Sequence, residues 1–145
     1  MIRAYQDNDK DRLLELIKLN VPRYFAPDEI ADFETYLTQD REDYFVVEDN
    51  SVVIGCGGIN YVIEDATAYI SWDIIHPNFH GKGIGGQLVH FRIAHIQEKA
   101  SFHTVVVRTS QRTYKFYEKQ GFELKSVKKD FWAPGFDLYY MALKL

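Results

Sequence analysis

The sequence predicts an α+β protein built around a mostly antiparallel sheet. Three patterns carry that reading: strand-like runs grouped near the start, a long helical pattern straight after a glycine-rich turn, and a short helical pattern between later strands. Residues 1–6 read as the first strand, and Asp7 is placed to cap a helix whose apolar set is Leu13, Leu14, Leu16 and Ile17. Residues 20–27 hold two prolines and break it; a second helix follows with Ile30, Phe33, Tyr36 and Leu37 on one side. Residues 44–48 and 52–63 form a hairpin around Asp49, Asn50 and Ser51, and a further strand runs over about 66–75. Leu88, Phe91, Arg92 and His95 mark the long third helix. Strands near 103–109, 121–131 and 136–144 complete the chain, with a short fourth helix between the first two of them.

Length and composition set bounds. At 145 residues the expectation is one domain, 1–145, large enough for a real core. Hydrophobic content of 46% and aromatic content of 15% exclude disorder. The single cysteine, Cys56, cannot form an internal disulfide, fits a reducing compartment and reads as a buried, inert thiol among small strand residues. The start lacks a signal peptide, and no apolar run approaches a membrane span, so a cytoplasmic protein with no membrane partner is expected. A net charge of −4 argues against a nucleic-acid partner. Arg108, Arg112, Lys115 and Lys119 nonetheless crowd around the fourth helix, which is either a solvated face or a local attraction for an anionic cofactor.

The most informative stretch is His76-Pro77-Asn78-Phe79-His80-Gly81-Lys82-Gly83-Ile84-Gly85-Gly86. An apolar strand stops at a proline, four glycines fall within six residues, and a helix begins at once. Such a turn exposes backbone N–H groups at the positive end of a helix dipole, a ready site for phosphate or pyrophosphate. The P-loop fails here because Lys82 is followed by Gly83 and not by a hydroxyl residue. The dinucleotide fingerprint fails because the strand ending at Thr109 has no acid at its tip and the glycines do not open the chain's first βαβ unit. A second motif lies downstream, Ser110-Gln111-Arg112-Thr113-Tyr114-Lys115-Phe116-Tyr117-Glu118-Lys119-Gln120-Gly121-Phe122. Ser110 is a good N-cap, Thr113, Phe116 and Tyr117 share a helical face, and Gly121 supplies a left-handed C-terminal cap.

His80-Gly81-Lys82-Gly83-Ile84-Gly85 resembles the pyrophosphate loop of the GNAT superfamily of N-acetyltransferases, with His80 in place of the usual Arg or Gln. Phe116-Tyr117-Glu118-Lys119-Gln120-Gly121-Phe122 resembles that family's other signature, in the family's order and at its usual separation. The resemblance spans nearly the whole chain. It implies six or seven strands with a splayed parallel pair, flanked by four helices, and acetyl-CoA as the cofactor, from which a primary amine takes the acetyl group by direct attack in a ternary complex.

The same resemblance distributes roles. Backbone N–H groups of Gly81, Lys82, Gly83, Ile84, Gly85 and Gly86 would hold the pyrophosphate, with Lys82 as an outer charge and His80 as a weaker donor than Arg. Ile74 and Ile75 would meet the pantetheine arm, with an N–H from this strand as oxyanion donor, and Ser110, Thr113 and Phe116 would complete the cofactor site. Tyr117 would protonate the departing thiolate, since a phenol and a thiol have comparable pKa values. Many relatives carry a Glu near Ser71 or Val106, which this chain lacks, so Asp73, set in an apolar strand, is the candidate base; an ion-paired structural Asp or a water chain would read the same way. The histidines do not have metal-ligand spacing. Residues 21–27 and 131–137, both aromatic-rich, are expected to wall the acceptor pocket. The acceptor is a small-molecule amine, a peptide N-terminus or a lysine, and a homodimer is left open. The rival reading is a CoA-binding sensor of the same fold with little catalysis.

Overall fold

The computed structural model describes all of residues 1–145. Seven strands form one sheet: β1 (Ile2–Ala4), β2 (Asp43–Asp49), β3 (Val52–Val62), β4 (Thr67–Ile75), β5 (Thr104–Thr109), β6 (Glu123–Ala133) and β7 (Phe136–Lys144), in the order β1-β2-β3-β4-β5-β7-β6. All neighbours are antiparallel except β4 and β5. The helices are α1 (Lys10–Leu19), α2 (Glu29–Thr35), α3 (Ile84–Gln97) and α4 (Tyr114–Lys119). The expected α+β class, strand number and parallel pair are all present.

Each face of the sheet carries its own core. Leu13, Leu16 and Ile17 of α1 pack with Phe33, Tyr36 and Leu37 over Tyr44, Val46, Cys56 and Ile74. On the other face Leu88, Val89 and Ile96 of α3 and Tyr117 of α4 pack over Phe45, Ile59, Ile70, Val105 and Val107. Strand alternation sends successive residues to opposite faces, so Val105 and Val107 join the second core while the intervening, buried Val106 does not. No helix is long and apolar enough to cross a membrane.

Several local expectations are corrected. Asp7 opens a 3-10 turn (Asp7–Asp9) and caps nothing; the Gln6 N–H is taken by the Asp9 carboxylate, which Arg3 also holds at 2.9 Å. In α3 the buried stripe is Leu88, Val89, Arg92 and Ile96, whereas Phe91 and His95 flank it and touch the Phe45 ring. Helix α4 starts at Tyr114 and not after Ser110. The Ser110 hydroxyl accepts the Arg112 N–H at 3.2 Å in a turn one step earlier, and its carbonyl accepts from Tyr114. Strand β6 runs on to Ala133, so the turn before β7 is tighter than 131–137. Gly121 does take the left-handed conformation (φ +102°), with Phe122 N–H returning to the Tyr117 carbonyl.

Candidate active site

Strands β4 and β5 pair only from Thr67↔Thr104 to Ile70↔Val107 and then part. Beyond the last pair lies a cleft of about 730 Å³, reached by the end of β4, the glycine loop, α4, and both aromatic segments expected to wall it, through Tyr24, Phe25, Trp132 and Phe136.

The divergence coincides with a break in β4. Gly58 pairs Ser71 and Cys56 pairs Ile74, so Trp72 and Asp73 together face the single residue Gly57. Trp72 takes φ +51°, rare for a bulky residue and characteristic of a bulge that re-aims side chains. Tyr44 secures the displaced carbonyl, donating to Trp72 O at 2.7 Å. After the bulge His76 N–H bonds to Ile54 O. By alternation the Ile74 N–H then turns toward β3, and the Ile75 N–H toward the cleft.

The bulge aims Asp73 at Arg92, a fully buried guanidinium on α3. Nη1 and Nη2 donate to the two carboxylate oxygens at 2.5 and 2.8 Å, Nη1 donates also to Gly58 O at 3.0 Å, and Nε donates to Leu88 O. Gly57 makes room for the pair: a Cβ there would come within 2.5 Å of Asp73 Oδ1. The Tyr117 hydroxyl completes the cluster, donating to Asp73 Oδ2 at 2.6 Å. Burial first, then the Asp73 charge, push the phenol well above its ordinary pKa. Burial alone would lower the Arg92 pKa, but Asp73 more than offsets it.

At the other end of the cleft, Gly81 (φ +75°) and Gly83 (φ +83°) turn the chain into α3. The first helical bond runs from Gln87 N–H to Gly83 O, which leaves the N–H groups of Ile84, Gly85 and Gly86 without partners. A Cβ at Gly81 or Gly83 would meet nothing within 4 Å, whereas one at Gly85 would lie 3.0 Å from the Phe116 ring. The loop is therefore an open cradle of donors, suited to pyrophosphate. His80 is turned away from it: Nε2 donates to Ile75 O at 2.8 Å and the ring stacks edge-on against Tyr24. Lys82 sits over the Phe79 ring, and Thr113 and Phe116 line the cleft beside Ser110.

A family model described as an acetyltransferase (GNAT) domain matches residues 40–124, more than half of the chain. The chain belongs to the GNAT family. Its fold is similar to that of the ribosomal-protein-S18-alanine N-acetyltransferase of Escherichia coli (TM-score 0.80, 15% identity, 99% of this chain and 92% of that one). An N-acetyltransferase of Staphylococcus aureus Mu50 is 23% identical over 99% of this chain and 97% of its own, with a TM-score of 0.77. An aminoglycoside 6'-N-acetyltransferase complexed with coenzyme A gives 0.78 at 19% identity, over 99% and 96% of the two chains. A search of curated protein sequences returns no significant match.

Sequence reasoning missed four residues that line or support this GNAT cleft. Arg92 looked like one more position of an amphipathic helix. Asn20, buried, donates to Ile75 O at 3.1 Å and to Leu16 O, and so fixes the end of β4; in the sequence it was part of a helix-breaking loop. Tyr44 and Glu29 were also unremarked, because only the fold brings them to the bulge and the cleft. Two of the cations around the fourth helix are held by aromatic rings, and Arg108 among them borders the cleft. Arg108 lies over Phe131 and Trp132, and Arg112 lies over Phe136 and donates to Arg23 O.

Proposed function

We propose that residues 1–145 act as one N-acetyltransferase domain that moves the acetyl group of acetyl-CoA to a primary amine by direct attack in a ternary complex. The observation that carries this reading is the cleft between diverging β4 and β5, with the open N–H cradle at one end and the Tyr117 hydroxyl in its wall. Acetyl-CoA, when bound, supplies a thioester whose carbonyl is the electrophile. Gly81 to Gly86 bind its pyrophosphate through backbone N–H groups, aided by Lys82, while Ile75, Ser110, Thr113 and Phe116 border the pantetheine path. Ile75, whose N–H faces the cleft, is the better oxyanion donor of the Ile74–Ile75 pair.

Tyr117 presents the one hydroxyl held against a half-buried carboxylate in this wall, and it is the group we assign to the departing sulfur. Asp73 is better read as the group that orients Tyr117 than as the base. Both its oxygens are engaged by Arg92, and proton uptake there would leave a buried guanidinium unmatched. The ammonium proton then leaves through water or through another group of the cleft. His80 acts by fastening the loop to β4, and phosphate capture rests on the backbone.

The test is release of CoA thiol from acetyl-CoA in the presence of a panel of primary amines, beside thermal shifts with acetyl-CoA, CoA, ATP and NAD. Amine-dependent thiol release with stabilisation by acetyl-CoA and CoA is expected; a ligand at 100-fold its Kd adds about 2.7 kcal/mol. CoA binding without thiol release from any amine would assign the chain to the sensor class instead.

A further inference from the structure

Glu29 is a charge in the cleft that the chain itself leaves unmatched. Four ionisable groups other than tyrosines line the cavity: Glu29, Asp73, His80 and Arg108. Asp73 is paired with Arg92, but Glu29, only 9% exposed, forms no ion pair. Its Oε2 accepts the Ala26 N–H at 2.8 Å, while the Glu29 N–H donates back to Ala26 O, an arrangement that closes the turn before α2. Oε1 accepts no hydrogen bond, and the chain has no buried side-chain oxygen without one, so Oε1 keeps contact with solvent in a residue that lines the cleft. Burial pushes this carboxyl above its ordinary pKa. Capping needs only one acceptor oxygen. A second, half-desolvated carboxylate oxygen at a cavity wall is a standing cost that a ligand cation would offset.

The surroundings say what carries the cation. Phe25 and Trp72, which line the same cleft as Glu29, stack with their rings 12° from parallel, and Tyr24 borders that cleft too. Flat apolar walls with a single free carboxylate oxygen match an ammonium borne on a flat apolar body. We propose that Glu29 is the cation-binding residue of the acceptor pocket, receiving through Oε1 the ammonium of an arylalkyl-type primary amine that lies against Phe25 and Trp72. The word acceptor rests on the acetyltransferase reading; the cation site itself does not.

Phenethylamine and its neutral analogue 2-phenylethanol, titrated calorimetrically into the CoA-saturated protein, test this without turnover. Wild type binds phenethylamine roughly 10- to 100-fold more tightly than 2-phenylethanol, the scale of a hydrogen bond to a charged group. Glu29→Gln keeps a carbonyl for the Ala26 N–H, so the turn survives while the preference is lost through weaker phenethylamine binding alone. Equal affinities of wild type for the two probes would overturn the proposal whatever the variant does, and so would an unchanged preference in folded Glu29→Gln. In turnover assays the variant raises the KM of cationic amines and leaves that of acetyl-CoA in place. A protein that keeps the preference but releases no thiol sinks the acetyltransferase reading and leaves the cation site standing.

Discussion

Tyr117 concentrates the chemistry in one oxygen, and its surroundings make that oxygen testable. Tyr117→Phe keeps the ring against Phe116 and Phe122, and Asp73 keeps both Arg92 bonds. Turnover should fall by roughly 10²-fold, the scale of a general acid, while acetyl-CoA binding changes by about 1 kcal/mol or less. Equal losses in both, or none, would make the hydroxyl structural. The raised phenol pKa fixes the sign of the pH effect: the neutral, proton-bearing form persists through the ordinary tyrosine range, so any alkaline loss of kcat due to Tyr117 lies above pH 10. Asp73→Asn probes the same cluster from the other side. It leaves Arg92 buried with no counter-charge, so urea unfolding should show a loss of about 3 kcal/mol or more. A loss below about 1 kcal/mol would mean that Arg92 finds another partner. Tyr117 was legible because it sits in a local motif. Arg92 was not: four residues after Leu88 it falls on the same helix face, but an arginine there reads as a snorkelling side chain, and its burial against a carboxylate is a tertiary fact.

At the scale of elements, two glycines do opposite work. Gly83 has a left-handed backbone (φ +83°) and open space around it, so Gly83→Val strains the turn and covers the N–H cradle without touching either core. The expected result is a folded protein whose CoA affinity is lost, and unchanged affinity would detach the loop from the cofactor. Gly57 is an ordinary strand residue by dihedral, yet a Cβ there would lie 2.8 Å from Arg92 Nη1 as well as against Asp73. Gly57→Ala should therefore cost about 1–3 kcal/mol of stability and lower turnover while leaving CoA binding intact, because it wedges the pair that positions Tyr117. Full stability in that variant would show that the pair can shift freely. The loop was readable from glycine spacing and the following helix, both local signals. The bulge at Trp72 was not, since a residue forced to φ +51° by its neighbours leaves no mark in an alternating apolar run.

For the whole molecule, the two cores meet the cleft through buried phenols. Tyr36, Tyr44 and Tyr117 all have pKa values raised chiefly by burial, and the three hydroxyls donate to Asn60, the Trp72 carbonyl and Asp73. The unfolded chain ionises these tyrosines near pH 10, whereas the folded chain keeps them protonated. Stability contributed by the neutral phenols is thus fully present below pH 10 and is lost as pH rises from there toward the folded values. Each such tyrosine steepens the fall by about 1.4 kcal/mol per pH unit. Urea unfolding of wild type and Tyr117→Phe at pH 7, 8, 9, 10 and 11 isolates one of them, since every other titrating group is common to both. The variant should lose stability less steeply by about 1.4 kcal/mol per unit above pH 10, and the two should run parallel below pH 9. Parallel lines throughout would mean that Tyr117 ionises in the folded protein as it does in water, which the Asp73 carboxylate 2.6 Å from its oxygen opposes.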